Sequence, residues 1–176
     1  TDQNNKANSA YRFNGKDNIL LPRNVLGKGA PLTMSIWVKT LSVIGPHSYA
    51  RLIGSCAAER TYWQTGITLD SLSEMYFEAA TDQSPGEAKA AYRNVLPFQE
   101  WFHTLLVYDG ENIIGYLNGE KVASAEAKGD FRTVGYVAIG GGDGPPPFTN
   151  EPWFFNGVLD NARIYNRALS AAEVKA

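Results

Sequence analysis

The chain reads as short runs of alternating apolar and polar residues, each closed by Gly, Asn, Asp or Pro. Residues 32–39 are the clearest case: Leu32, Met34, Ile36 and Val38 share one face, and Thr33, Ser35, Trp37 and Lys39 share the other. A period of two is that of a half-buried strand, because successive side chains leave a strand on opposite sides. The same pattern predicts strands over 11–13, 19–21, 51–55, 65–69, 74–78, 100–108, 113–117, 120–123, 135–140 and 156–165. Asn118-Gly119 between two of these runs is a hairpin turn, since both central residues of such a turn need positive φ. Asn14-Gly15-Lys16-Asp17-Asn18 reads as a further hairpin-like turn near the start. Phe-Asn-Gly occurs at 13–15 and again at 155–157, as expected of first and last strands that lie side by side. Ser170 and Glu173 form a capping box that opens a short C-terminal helical turn. With roughly a dozen short strands and no interior helix, the prediction is an all-β, two-sheet antiparallel sandwich.

Length then sets the domain count. A chain of 176 residues builds one well-buried domain, assigned here to 10–176. Residues 1–9 are polar and aperiodic and are expected to be a disordered or loosely held arm. A formal net charge of −2, without a run of like charges, argues against nucleic-acid binding and against electrostatic docking to acidic membranes. No apolar stretch approaches the roughly 18 to 20 residues that span a bilayer, so membrane insertion is not expected. The single cysteine, Cys56, excludes an intramolecular disulfide and is expected to be a small buried residue. Aromatic residues make up 12% of the chain, an enrichment that suits β-sheets and equally suits surfaces that stack on sugars.

Four motifs in order carry a family resemblance. Tyr11-Arg12-Phe13-Asn14-Gly15 opens the chain's folded part, followed by Leu32-Thr33-Met34-Ser35-Ile36-Trp37-Val38-Lys39. Trp101-Phe102-His103, Tyr108-Asp109-Gly110 and Tyr116-Leu117-Asn118-Gly119 come next. The closing segment 154–174 contains Gly157-Val158-Leu159-Asp160, Arg163-Ile164-Tyr165 and Arg167-Ala168-Leu169-Ser170. Together they resemble the laminin-G-like domains of the concanavalin A-like lectin/glucanase superfamily. The resemblance implies a jelly roll with one concave and one convex sheet, in a secreted, periplasmic or cell-surface setting, although no signal-peptide pattern stands at Thr1. It also implies roles from glycan recognition to protein adhesion, and fold alone does not choose between them.

The resemblance further implies a structural Ca²⁺ at Asp160, with companions from the Asn14-Gly15 turn. Calcium prefers six to eight hard oxygens, and Asn14 supplies no charge where many relatives carry Asp. Catalysis is not expected. Glycosidases of this fold need two facing carboxyls, whereas Glu74 and Glu78 stand alone around Met75-Tyr76-Phe77 and read as a solvated strand edge.

Sugar recognition needs an aromatic platform with polar neighbours. Two loops offer one. Tyr62, Trp63 and Gln64 end a polar connection, and Trp153 leaves a Gly/Pro-rich loop that carries Asp143, Phe148, Asn150 and Glu151. Asp143, Asn150 and Glu151 are also candidates for a second cation. The competing assignment for both aromatics is loop anchoring. Trp37, Trp101 and His103 occupy framework positions of the resemblance and are expected to pack. The expected function is non-catalytic recognition of a glycan, with an extracellular protein as the alternative partner.

Overall fold

The computed structural model describes residues 1–22, 25–26, 29, 31–42, 49–56, 65–71, 74–83, 87–131, 136–141 and 153–175. Two antiparallel six-stranded sheets account for nearly all of the regular structure. The first sheet runs β1 (Tyr11–Asn14), β12 (Asn156–Tyr165), β3 (Leu32–Thr40), β8 (Trp101–Tyr108), β9 (Asn112–Leu117), β10 (Glu120–Glu126). The second runs β2 (Ile19–Leu20), β11 (Tyr136–Ile139), β4 (Ala50–Cys56), β5 (Thr65–Ser71), β6 (Glu74–Ala80), β7 (Glu87–Tyr92). A single short helix, α1 (Ala171–Lys175), follows β12. This is the all-β two-sheet sandwich that the alternation predicts and the jelly roll that the resemblance implies.

The inner faces meet as the pattern of β3 requires. Leu32, Met34, Ile36 and Val38 are fully buried and join Leu52, Ile53, Ile67, Leu69, Met75, Phe77, Phe102 and Leu106 in one core. Phe77 of β6 crosses the gap and lies against Gly115 of β9, where a Cβ would overlap its ring. Burial of these apolar side chains supplies the main force for stacking, at about 25 cal/mol for each Å² removed from water.

Several local expectations hold in detail. Asn118 and Gly119 sit at φ 49° and 81°, which makes the predicted hairpin between β9 and β10. Phe13 and Asn14 of β1 pair with Gly157 and Asn156 of β12, so the first and last strands are neighbours. At α1 the Glu173 N–H donates to Ser170 Oγ (3.3 Å) and the Ser170 N–H donates to Glu173 Oε2 (2.9 Å), completing the capping box. Val174 of that turn is buried against Leu105, Val107 and Tyr116 on the outer side of the first sheet.

Two expectations, the hairpin after Asn14 and the missing strand β7, need correction. The segment after Asn14 is not a hairpin, because β1 and β2 belong to different sheets. Gly15 turns away at φ 83° and donates its N–H to the Phe155 carbonyl, so the connection crosses the end of the sandwich. Within residues 1–9, expected as a loosely held arm, the described backbone is locally ordered. Asp2 is buried, and its Oδ1 accepts the N–H groups of Asn4 (2.9 Å) and Lys6 (2.8 Å), closing a compact turn. Strand β7 was missing from the pattern altogether, since Glu-Ala-Lys-Ala-Ala-Tyr shows no strong apolar alternation. Its ladder to β6 through Phe77–Ala90 and Glu78–Lys89 makes it a strand.

His103 ties the middle of the first sheet together. Its Nε2 shares a 2.8 Å hydrogen bond with Ser35 Oγ, its backbone N–H donates to Asn118 Oδ1 at 2.8 Å, and its ring stacks on Trp37 at 4.9 Å. Burial, and after it the Arg163 guanidinium, holds its pKa below the ordinary histidine value.

Two predictions follow from these contacts. Gly115→Ala should cost about 1–3 kcal/mol of unfolding free energy through overpacking against Phe77; a urea midpoint equal to wild type would show that the sheets separate freely. Because the His103 pKa is depressed in the folded state, the unfolded chain binds the proton first as pH falls below about 6.5. The stability His103 contributes is therefore complete above that pH and is lost as pH falls through the folded value. Urea midpoints across that interval should decline more steeply for wild type than for His103→Gln, and parallel declines would count against it.

Candidate functional site

The outward side of the second sheet carries a polar cluster in place of the usual solvated rim. Register sets Arg51 of β4 opposite Thr68 of β5, Thr68 opposite Tyr76 of β6, and Glu78 of β6 opposite Lys89 of β7. Because Ile53, Ile67 and Phe77 point into the core, these residues point away from it. Arg51 is nevertheless 1% exposed, Glu78 3% and Asp70 7%, which marks them as a covered cluster.

Strand β4 makes room for the guanidinium. Gly54 and Gly66 face each other across β4 and β5, and a Cβ on either would stand within 3.0 Å of Arg51 Nη1. The absence of those two side chains leaves a flat floor on which the planar group lies. Trp153 covers it: the ring centroid is 5.3 Å from Arg51 Cζ, and its carbonyl accepts the Arg51 N–H at 2.9 Å. Tyr49 packs beside Trp153 with centroids 5.2 Å apart.

The charges are only partly satisfied. Glu78 Oε1 meets Lys89 Nζ at 2.9 Å, and Glu78 Oε2 accepts the Thr68 hydroxyl at 2.9 Å. Arg51 Nη2 stands 3.7 Å from the same Oε2, an ion pair without a hydrogen bond. Among the described residues neither Arg51 Nη1 nor Nη2 has a hydrogen-bond partner, and Asp70 Oδ1 has none. Burial first, then a hydrogen bond to Glu74 and the charge of Asp70, pushes the Tyr76 hydroxyl up to about 12, so it stays a protonated donor.

Glu78 corrects the expectation of a solvated strand edge. Because β7 pairs on its far side, β6 is an interior strand, and Glu78 is held by Arg51, Thr68 and Lys89. Glu74, at the strand's other end, pairs with Arg93 at 2.7 Å.

Of the aromatic platforms, Trp153 is half-buried and anchors its loop while presenting its ring to Arg51 and Tyr49. Tyr62, Trp63, Gln64, Asp143, Phe148, Asn150 and Glu151 lie outside the described residues, and the Cys56 side chain is likewise not described. Sequence reasoning missed Arg51, Asp70 and Glu78. The signal available was Gly54 and Gly66 in otherwise strand-like runs, which marks a close approach.

The calcium set does not assemble as expected. Asn14 pairs with Asn156, whereas Asp160 lies four residues farther along β12, roughly 13 Å at strand rise. Asn14 Oδ1 accepts the Lys16 N–H and Asp160 Oδ1 accepts the Asn161 N–H, so each oxygen serves its own turn. The described geometry thus places Asp160 apart from Asn14 and Gly15 along β12. Among the described residues no group of three or more His, Cys, Asp and Glu is placed to hold a metal.

The first sheet's outer side differs. Trp37 and Trp101 are half-buried there, Trp37 stacks on His103, and both lie outside the two apolar clusters. Among the described residues no helix is long and apolar enough to cross a membrane.

Comparison with known proteins agrees with this architecture. The fold matches the carbohydrate-binding CBM40 domain of a Ruminococcus gnavus sialidase, solved with α2,3-sialyllactose, at TM-score 0.77 and 13% identity over 95% of both chains. Domain 4 of an extracellular arabinanase from Geobacillus stearothermophilus, solved with arabinotriose, gives 0.61 and 19% over 94% of this chain and 74% of that one. Domains LG4-5 of the mouse laminin α1 chain give 0.66 and 17%, covering 92% of this chain and 44% of the laminin chain. No curated protein matches in a sequence search. A laminin-G-type family model matches residues 13–175, and the chain belongs to the concanavalin A-like lectin/glucanases superfamily.

Proposed function

We propose that the chain is a non-catalytic carbohydrate-recognition module whose glycan seats on the outward side of the second sheet, against Trp153 and Arg51. One observation carries this reading: a buried guanidinium whose two terminal nitrogens lack hydrogen bonds among the described residues. Leaving a buried charged donor unsatisfied costs several kcal/mol, and native structures retain such groups where a ligand or water completes them. Sugar hydroxyls are suitable acceptors for Arg51. The half-buried rings of Trp153 and Tyr49 beside it offer the apolar face that a pyranose or furanose ring stacks on. Asp70 and Glu78 supply acceptors for hydroxyl protons.

Binding is favoured over hydrolysis because Glu78 is committed to Arg51 and Lys89, and Glu74 to Arg93, which removes both from a free acid–base pair. The sialyllactose and arabinotriose complexes of two fold neighbours support the glycan class without naming the sugar for this chain. An extracellular setting follows from that ligand class.

The test is a glycan array bearing sialylated, galactosylated, gluco-configured and arabinan oligosaccharides, followed by calorimetry on the best binder. Trp153→Ala should weaken binding by about tenfold or more, the loss of one well-placed contact. Arg51→Lys, which keeps the charge and loses the planar fork, should weaken it comparably. Lys121→Ala, an exposed position on the edge strand β10 of the other sheet, serves as the control and should bind as wild type. A folded wild-type protein that binds none of the glycans would overturn the reading, as would binding that is indifferent to Trp153→Ala.

A further inference from the structure

The second sheet's cluster leaves the opposite face of the sandwich unexplained. There a groove of ≈ 630 Å³ opens on the outer side of the first sheet, between the N-terminal turn, the β9–β10 hairpin and α1. Its volume falls within the range of small-ligand sites, about 300–1,000 Å³. The alternation of β3 and β8 builds the floor, because Ser35, Trp37, Trp101, His103 and Leu105 all fall on the parity that faces away from the core.

The groove's chemistry is aromatic and polar together. Trp37 stacks on His103 with ring planes 17° apart, and Trp101 stands two residues along the same strand as His103. Tyr165 adds a fourth ring on the wall. Donors and acceptors interleave with them. The Asn118 amide is fixed by the His103 N–H on its oxygen, which leaves the amide nitrogen's protons for a ligand. Gln3 reaches in from the N-terminal turn, and its Oε1 is buried without a partner among the described residues.

Charge narrows the class. Of the ionic groups on the walls, Glu173 is held by Arg167 at 2.8 Å and Lys175 by Glu120 at 3.0 Å. Arg163 is exposed and makes no ion pair among the described residues. It is an exposed cation at the rim beside a ring floor. His103, held below the usual histidine range, stays neutral there and does not add a competing positive charge at neutral pH.

We propose that this groove is a second carbohydrate site, which takes a pyranose ring with its C–H face on Trp37 and Trp101. Its hydroxyls bond to the Asn118 amide, Gln3 Oε1 and the Arg163 guanidinium. An apolar peptide would leave Gln3 Oε1 and the amide buried without partners, whereas a hydroxyl-rich ring satisfies both while covering the indoles. The proposal does not depend on the second-sheet site. If both operate, the module presents sugar-binding surfaces on opposite faces and can bridge two glycan chains.

The test is residue-resolved NMR of the full chain, titrated with lactose, cellotriose and trigalacturonate, following the four indole N–H signals. At least one probe should shift Trp37 and Trp101 saturably, and the shifts should persist in Trp153→Ala. Trp101→Ala should weaken that binding by about tenfold, and Arg163→Gln should weaken it more for trigalacturonate than for the neutral sugars. Wild-type spectra provide the same readout should Trp101→Ala fail to fold. If Trp153 shifts while Trp37 and Trp101 remain unmoved by all three probes, this inference fails and the second-sheet reading stands. Shifts confined to Trp37 and Trp101 uphold the inference and count against the second-sheet site. Silence at every indole overturns the groove.

Discussion

Phe77 lies so close to Gly115 that one added carbon would overlap its ring, and this contact locks the stacking of the two sheets. The pleat then leaves no freedom in what faces outward. If Phe77 points inward, so do Met75 and Ala79, and Tyr76 and Glu78 must point outward beside Thr68 and Arg51. The same logic on the first sheet sends Leu32, Met34, Ile36 and Val38 inward and sets Ser35 and Trp37 outside with His103. A one-residue slip would exchange every one of these assignments. Both candidate surfaces are consequences of core packing rather than independent constructions.

The outward cluster of the second sheet shows how costly chemistry is accommodated. A buried guanidinium demands a partner, and Glu78 answers at 3.7 Å while itself bonding to Thr68 and Lys89. Attraction at that distance in a covered site is substantial, yet it does not replace the hydrogen bonds both Arg51 nitrogens lost on leaving water. Gly54 and Gly66 make the position sterically possible, and Trp153 adds a cation–π contact. The result is a group that is well positioned and incompletely satisfied, which is the condition of a preorganised recognition element.

What the sequence made legible follows from how local each signal is. Alternation in 32–39, the Asn118-Gly119 turn and the Ser170–Glu173 box are decided by neighbours in the chain, and each has the predicted geometry. Strand β7 was illegible because Ala88, Ala90 and Ala91 carry little apolar contrast, and its ladder to β6 is a tertiary fact. That omission propagated. Without β7, Glu78 looked like an edge residue; with it, Glu78 becomes the buried centre of an ion-pair network. The placement of Asp160 was equally a matter of register, since the turn at Asn14 pairs with Asn156 and not with the acidic position four residues on. Trp153 was legible as an aromatic leaving a loop, but its partner Arg51 was hidden in a run of ordinary strand residues.

The two outer faces differ in a way that bears on what each can recognise. On the second sheet Arg51, Asp70 and Glu78 are buried and only partly satisfied by one another, so the polar groups are closely packed and little screened. On the first sheet the groove's floor is made of rings and amides, and of the Arg and Lys side chains lining it Arg163 is exposed and makes no ion pair among the described residues. Fixed polar groups discriminate strongly, because a mismatched ligand leaves them unpaired. Ring stacking with an exposed rim charge discriminates weakly, since every pyranose presents an apolar patch. If both proposed sites operate, a sandwich whose core fixes both faces at once would place a selective surface and a tolerant one back to back, with the selectivity on the side where Arg51 is buried.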